Sequence, residues 1–175
     1  GFTHWAKLNN LKQAAKTMNF LTEHGISSYG ELESKLTAIS ARRDTAHAEI
    51  KRIESRSAEL TLVMKHAGTY RQLKPLYGRY RKSNDKEKFL RGHESEIILF
   101  EAAARELKRL GAVPLPTTES MKTELANLAA EKERLLVKYK AARSEVQEYE
   151  TVKQNVDALL TVPKEQEQQR RYELE

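Results

Sequence analysis

Residues 32–67, LESKLTAISARRDTAHAEIKRIESRSAELTLVMKHA, contain the pattern that decides the fold. Eleven positions follow one another there at alternating steps of four and three residues, and nine of the eleven are apolar. They are Leu32, Leu36, Ile39, Arg43, Ala46, Ile50, Ile53, Ser57, Leu60, Met64 and Ala67. A 3.5-residue apolar repeat with charged flanks is typical of a coiled-coil helix. These 36 residues would extend over about 54 Å at 1.5 Å per residue.

Residues 121–160 repeat the same pattern after an insert. Ten of their twelve repeat positions are apolar, and the set is Met121, Leu125, Leu128, Lys132, Leu135, Tyr139, Ala142, Val146, Tyr149, Lys153, Val156 and Leu160. Two such seams around one insert predict an all-α fold, a long antiparallel coiled-coil hairpin with a small helical cap at its tip. The expected register brings together three pairs: Leu60 with Leu125, Ile53 with Lys132, and Ala46 with Tyr139.

Breaks in the pattern divide the chain. Gly68 and Thr69 interrupt the first seam, Pro75 indicates a kink or a fresh helix start, and Pro163 ends the second seam. The predicted segments are an N-terminal amphipathic helix at 1–26, a first coiled-coil helix at 27–68, a basic helical cap at 69–116, a second coiled-coil helix at 117–162 and a polar tail at 163–175.

Capping residues support these boundaries. Gly25 and Gly111 are placed to end helices, Ser28 and Glu31 form a capping-box pattern, and Thr117 precedes the last helix. The first helix has an apolar stripe that we expect to pack at the open end of the hairpin, burying the only tryptophan. The stripe is Trp5, Leu8, Leu11, Ala15, Met18 and Leu21. The helix around residues 94–110 is apolar nearly all round, which predicts that it is wedged between other helices.

Composition narrows the protein class. Of 175 residues, 39% are hydrophobic and 32% charged, while aromatics account for only 7%, so a thick globular core is not expected. The chain has no cysteine, which excludes disulfides and cysteine-ligated zinc and indicates a cytoplasmic protein. It has neither an apolar run of the ~18–20 residues needed to span a membrane nor an apolar signal-peptide region at its start.

Positive charge is concentrated in one window. Residues 65–91 hold nine Lys or Arg residues and two acidic residues, a net +7, so the other 148 residues sum to −1. A local excess of this size is typical of a surface that contacts phosphates or acidic partners. The candidate nucleic-acid-binding residues are Arg71, Lys74, Arg79, Arg81, Lys82, Lys86, Lys88 and Arg91. The alternative is that these side chains are merely solvated.

Tyrosines alternate with these cations. Tyr70, Tyr77 and Tyr80 share one helical face, where they are either buried aromatics of the cap or platforms on which nucleobases stack.

No signature of catalysis or metal binding is present in the sequence. The five histidines are scattered without metal-ligand spacing, and no glycine-rich phosphate loop or nucleophile–base arrangement occurs. We therefore expect no catalytic residue, no metal site and no cofactor.

Three strings of the sequence resemble one family. They are WAKLNNLKQAAKTMNFLTEHGI at 5–26, YGRYRKSNDKEKFLRGHESEIILFEAAARELKRLG at 77–111 and LPTTESMKTEL at 115–125. They are similar to the C-terminal helical region of relaxases, the mobilisation nucleases of integrative conjugative elements and plasmids of Gram-positive bacteria. Such relaxases nick DNA with a catalytic tyrosine and a histidine-cluster metal site, both in an N-terminal nuclease domain whose motifs this chain lacks.

The resemblance implies a non-catalytic accessory domain of a DNA-transfer relaxase. Its expected partners are the DNA phosphate backbone near a transfer origin and relaxosome or secretion coupling proteins, with no membrane contact. A monomer is expected, with a parallel dimer as the alternative. The competing hypothesis for function is a purely structural coiled-coil spacer or dimerisation module that makes no nucleic-acid contact.

Overall fold

Four helices make up the described part of the chain. The structure, a computed structural model, describes residues 2–173, and their side chains except at 2–8, 162–167 and 170. The helices are α1 (Phe2–Glu23), α2 (Tyr29–Lys82), α3 (Lys86–Arg109) and α4 (Thr118–Tyr172). No strand occurs within residues 2–173. The predicted all-α class is therefore confirmed.

Helix ends lie where the local signals place them. Gly25 and Gly111 have φ of +64° and +69°, the left-handed conformation that follows a helix end at little cost for glycine. At the start of α4, the Ser120 N–H donates to Thr117 Oγ1 at 3.1 Å. These caps satisfy backbone groups that a helix end leaves without partners.

The start of α2 is capped by a variant of the capping box. The Glu31 N–H donates to Ser28 Oγ at 3.1 Å, while the Glu31 carboxylate accepts from the Ser27 N–H at 2.7 Å. In the usual box the carboxylate would bond the N-cap residue itself, so the return bond here is shifted by one residue. Hydrogen bonds from Ser27 lower the pKa of Glu31, since they favour the ionised carboxylate.

The chain forms two compact units, each with its own core. The terminal unit comprises residues up to His47 and from Leu136 onward. Its core joins α1, the start of α2 and part of α4 through Phe20, Ile26, Leu32, Ile39, Val146, Tyr149 and Val152. The central unit comprises Ala48–Leu135. Its core is Ile53, Leu60, Val63, Ala67, Leu107, Ala112, Met121 and Leu128.

Nearly all of the seam positions predicted from the sequence are shielded from solvent. All eleven in α2 are buried or half-buried, and so are eleven of the twelve in α4, with Leu160 exposed. Within the central unit, α2 and α4 run antiparallel, because Arg56 pairs with Glu124 while Arg52, earlier in α2, pairs with Glu131, later in α4. Lys132 Nζ lies 3.2 Å from Glu54 Oε1, next to the expected Ile53–Lys132 pair. Within the terminal unit, the Tyr139 ring lies 5.5 Å from that of His47, which neighbours Ala46.

The predicted stripe of α1 is only partly right: among its members whose side chains are described, Leu21 packs against the core as expected and the others are exposed. Leu11 and Met18 are 67% and 58% exposed, whereas Thr17 and Phe20 are buried. The reason is tertiary, because the Phe20 ring meets the Tyr149 ring of α4 edge-on at a centroid distance of 5.1 Å. This contact rotates a different face of α1 toward the core than apolar spacing alone indicates. The predicted burial of the Trp5 side chain lies outside the described residues.

The predicted break at Gly68 and Thr69 does not occur, and neither does a fresh start at Pro75, because α2 continues to Lys82. Glycine costs roughly 1 kcal/mol inside a helix and proline about 3. Burial of residues such as Ala67 and Leu76 on either side offsets these costs. Pro75 itself is exposed, so water can bond the carbonyl that it leaves without a donor.

Two further expectations about helices need correction. Helix α4 does not end at Pro163 but runs to Tyr172, so positions 163–172 of the predicted polar tail are helical. Helix α3 is not wedged on all sides, because Ile98 and Leu99 are 54% and 55% exposed. Helix α3 is locally interrupted at His93, whose backbone angles are non-helical.

Candidate nucleic-acid interface

All eight predicted contact residues are exposed. Among the side chains that the structure describes, none of the eight lies within 4.0 Å of a carboxylate. Several cations earlier in α2 are paired instead: Lys51 lies 3.1 Å from Glu54, and Arg56 lies 2.8 Å from Glu124. The end of α2 and the start of α3 thus carry cations that no described carboxylate pairs with at this distance, although two acidic residues lie in the same stretch. We call these eight side chains the basic patch.

Helix electrostatics explains only part of the basic patch. Arg79, Arg81 and Lys82 occupy the last turn of α2, where cations complement the negative end of the helix dipole. Lys86 and Lys88 lie in the first turn of α3, where the same dipole disfavours cations. Cations at the N-terminal end of a helix are unfavourable for its stability, so helix stability does not account for Lys86 and Lys88.

Arg71 already has a structural role. Its guanidinium donates to Thr118 Oγ1 at 2.8 Å and to the carbonyl of Pro116. These bonds attach α2 to the segment that leads into α4. Because two of its five N–H donors are engaged and hold the guanidinium in place, Arg71 contributes less to an anion-binding surface than the sequence indicated.

The tyrosines of this region belong to a row of rings supplied by both α2 and α3. The Phe100 ring lies between those of Tyr70 and Tyr77, with centroid distances of 4.8 and 4.3 Å and nearly parallel planes. From Tyr77 the row continues through three more rings at 4.8–6.0 Å spacings: Tyr80, Phe89 and His93. The three tyrosines are half-buried, so packing against α3 and partial exposure coexist.

An open groove of about 690 Å³ runs along the first three rings of this row, and we call it the α2–α3 groove. Its lining consists of Tyr70, Lys74, Tyr77, Gly78, Arg81, Phe100, Glu101, Ala104 and Arg105. Three cations and one carboxylate therefore surround an aromatic floor. The Lys74 ammonium lies 5.8 Å from the centroid of the Tyr70 ring, within range of a cation–π contact.

The eight cations of the basic patch do not all lie at the same pocket. Lys74 and Arg81 line the groove. Lys88 lines a separate shallow pocket that also includes Phe89 and His93. The remaining cations of the basic patch line neither.

Sequence reasoning missed some of the groove. It did not assign Phe100, Glu101 or Arg105, because these come from α3 and only packing brings them beside α2. One signal was available: Tyr70, Lys74, Tyr77 and Arg81 follow one another at steps of four, three and four, which places them on one helical face.

The described residues form neither a metal site nor a membrane span. Among the side chains that the structure describes, no group of three His, Asp or Glu residues is arranged to bind a metal ion. Of the four helices, none is both long enough and apolar enough to cross a membrane.

Comparison with protein-family models, curated proteins and solved structures finds no match to this chain.

Proposed function

We propose that this chain is a non-catalytic module that binds DNA through the basic patch. The observation that carries the proposal is the concentration of eight exposed cations in residues 71–91, a local excess of positive charge that no described carboxylate within 4.0 Å offsets. Unpaired surface cations are free to displace the counterions that surround DNA phosphates. The binding expected from such a surface is weak, tolerant of sequence and strongly dependent on salt.

The resemblance to relaxases suggests the larger protein in which this module acts. On that basis we propose that the chain is the C-terminal accessory region of a cytoplasmic DNA-transfer relaxase. There it would hold DNA near the transfer origin or contact relaxosome and coupling proteins. Nicking belongs to the nuclease domain of such a protein. We further propose that the two seams form one antiparallel coiled-coil hairpin, which would present the basic patch at its tip.

The test is binding of fluorescein-labelled DNA, followed by anisotropy between 50 and 300 mM salt. A triple variant with Arg79, Arg81 and Lys82 changed to Gln should bind at least about tenfold more weakly at 50 mM salt. A matched triple variant on α4, with Lys138, Lys140 and Arg143 changed to Gln, removes the same charge from three exposed positions elsewhere. It should bind like the wild type.

The alternative function is a structural spacer or dimerisation module without nucleic-acid contact. Its support is that the α2–α4 ion pairs and the dipole role of Arg79, Arg81 and Lys82 are structural contributions that need no ligand. Absence of binding by the wild type at 50 mM salt would favour this alternative. Equal weakening by the two triple variants would show that net charge, and not the basic patch, governs binding.

A further inference from the structure

We infer that the α2–α3 groove binds the unpaired bases of single-stranded DNA, an inference that rests on the proposed function and specifies its ligand. The basic patch by itself would bind any strand form, because phosphates are common to all of them. The groove adds an aromatic floor beside the cations, and only a strand with accessible bases can use both.

The floor suits a flat aromatic ligand. Phe100 is buried between Tyr70 and Tyr77, which remain partly exposed toward the groove. The volume of about 690 Å³ lies within the range of roughly 300–1,000 Å³ that is usual for sites that hold small organic groups. Bases of a duplex are stacked on one another inside the helix, so a duplex cannot offer them to this floor.

The cations around the groove are placed to contact the phosphates on both sides of a base bound in it. Lys74 and Arg81 line it from α2 and Arg105 from α3, against the single carboxylate of Glu101. A neutral aromatic ligand would not use these cations, and an acidic peptide would not need the aromatic floor. Single-stranded nucleic acid combines a polyanionic backbone with stacking bases, which is the pattern of groups that the groove presents.

Gly78 keeps the groove accessible from the α2 side. A Cβ placed at this residue would meet no atom within 4 Å, and its backbone does not have positive φ. A larger side chain at position 78 can therefore extend into the groove while α2 remains helical. Gly68 offers the same open space on the same helix but does not line the groove. The two glycines form a matched pair for a test.

The experiment compares Gly78→Leu with Gly68→Leu. Binding of labelled dT15 and of a 15-base-pair duplex is measured at one salt concentration, together with the melting temperature of each protein. Both variants should melt no lower than the wild type, because leucine favours the helix over glycine. We expect Gly78→Leu to bind dT15 about tenfold more weakly, the scale of one lost base-stacking contact, and the duplex within twofold of the wild type. Gly68→Leu should bind both like the wild type.

A second pair keeps the test decisive if Gly78→Leu unfolds. Arg105→Gln removes a groove cation that is outside the basic patch, and Lys108→Gln removes an exposed α3 cation outside the groove. Only the first should weaken dT15 binding selectively.

The outcomes separate the two proposals. If the wild type binds neither strand form, the proposed function fails. If the wild type binds DNA but Gly78→Leu, or Arg105→Gln in its place, leaves dT15 binding unchanged or weakens both forms equally, the groove inference is wrong while the proposed function stands.

Discussion

Arg56 on α2 binds the carboxylate of Glu124 on α4 through two hydrogen bonds, from Nε to Oε1 at 2.8 Å and from Nη2 to Oε2 at 3.3 Å. A third bond from the same guanidinium, Nη1 to Glu59 Oε2 at 2.8 Å, links it to its own helix. These bonds to carboxylates raise the pKa of Arg56. One cation thus joins two segments of the central unit that are 68 residues apart in the chain.

The Arg56–Glu124 pair should stabilise the fold modestly. Both side chains are about 40% exposed, so solvent screens their attraction, and the bidentate geometry places the pair toward the upper part of the usual surface range. A double-mutant cycle with Arg56→Ala and Glu124→Ala, measured by urea unfolding, should give a coupling energy of about 0.5–1 kcal/mol. The Arg52–Glu131 pair, at 3.8 Å, should give a smaller value. A larger coupling for the longer pair would contradict this ranking.

Glu54 should make the free energy of unfolding decrease as the pH falls into the acid range. Hydrogen bonds from Lys51 and Lys132 lower its pKa below the ordinary value of 4.5. A carboxylate whose pKa is lowered by folding stabilises the native state above its unfolded pKa, and this contribution disappears as pH falls through the folded value. The stability advantage of wild type over Glu54→Gln should be constant near neutral pH and shrink below pH 4.5.

Urea unfolding of Glu54→Gln at pH 7, 5, 4 and 3 provides the measurement. Glu133→Gln on α4 is the control, because the described side chains place no cation within 4.0 Å of Glu133. An advantage of wild type over Glu54→Gln that grows toward pH 3 would contradict the assigned direction.

Tyr77 should stabilise the packing of α2 on α3. Its ring stacks on that of Phe100 at 4.3 Å, so truncation removes both buried aromatic area and a ring–ring contact. We expect Tyr77→Ala to destabilise the protein by about 2 kcal/mol. Tyr77→Phe keeps the ring and should lose little stability. If Tyr77→Ala preserves the melting temperature and abolishes single-strand binding, the ring serves the ligand and not the fold.

Arg81 and Arg71 should differ in how their loss affects the protein. Arg81 lies in the groove without a carboxylate partner among the described residues, so Arg81→Gln should reduce the slope of log K against log salt by about one. Arg71→Gln breaks the bonds to Thr118 and Pro116 and should lower stability by about 1 kcal/mol, with a smaller change in slope. Titrations at four salt concentrations and urea unfolding distinguish the two effects. Equal slope changes would show that Arg71 also contacts phosphate.

The chain should be a monomer. Seam residues of α2 such as Ile53 and Leu60 pack with Met121 and Leu128 of the same chain, so the surface that a parallel dimer would need is already covered in the central unit. Light scattering coupled to size exclusion should give a molar mass near 20.1 kDa. A mass near twice that value would instead support the dimerisation alternative.

The helical class, both seams and the main caps can be read from the sequence. These features depend on residues a few positions apart: steps of three and four place side chains on one face, and Ser28, Thr117, Gly25 and Gly111 act on neighbouring backbone groups. The charge window was equally visible, because lysine and arginine at 65–91 need no structure to be counted.

Contacts between distant residues decided the rest. Packing around Gly68 and Pro75 keeps α2 continuous where local propensity predicts a break, and Tyr149 selects the buried face of α1. Phe100 enters between Tyr70 and Tyr77 although it follows them by at least 23 positions, and only that insertion creates the α2–α3 groove. Helix propensity describes the intrinsic preference of each residue for the helical conformation. These outcomes depend instead on the area that one helix buries against another, which is set by three-dimensional packing.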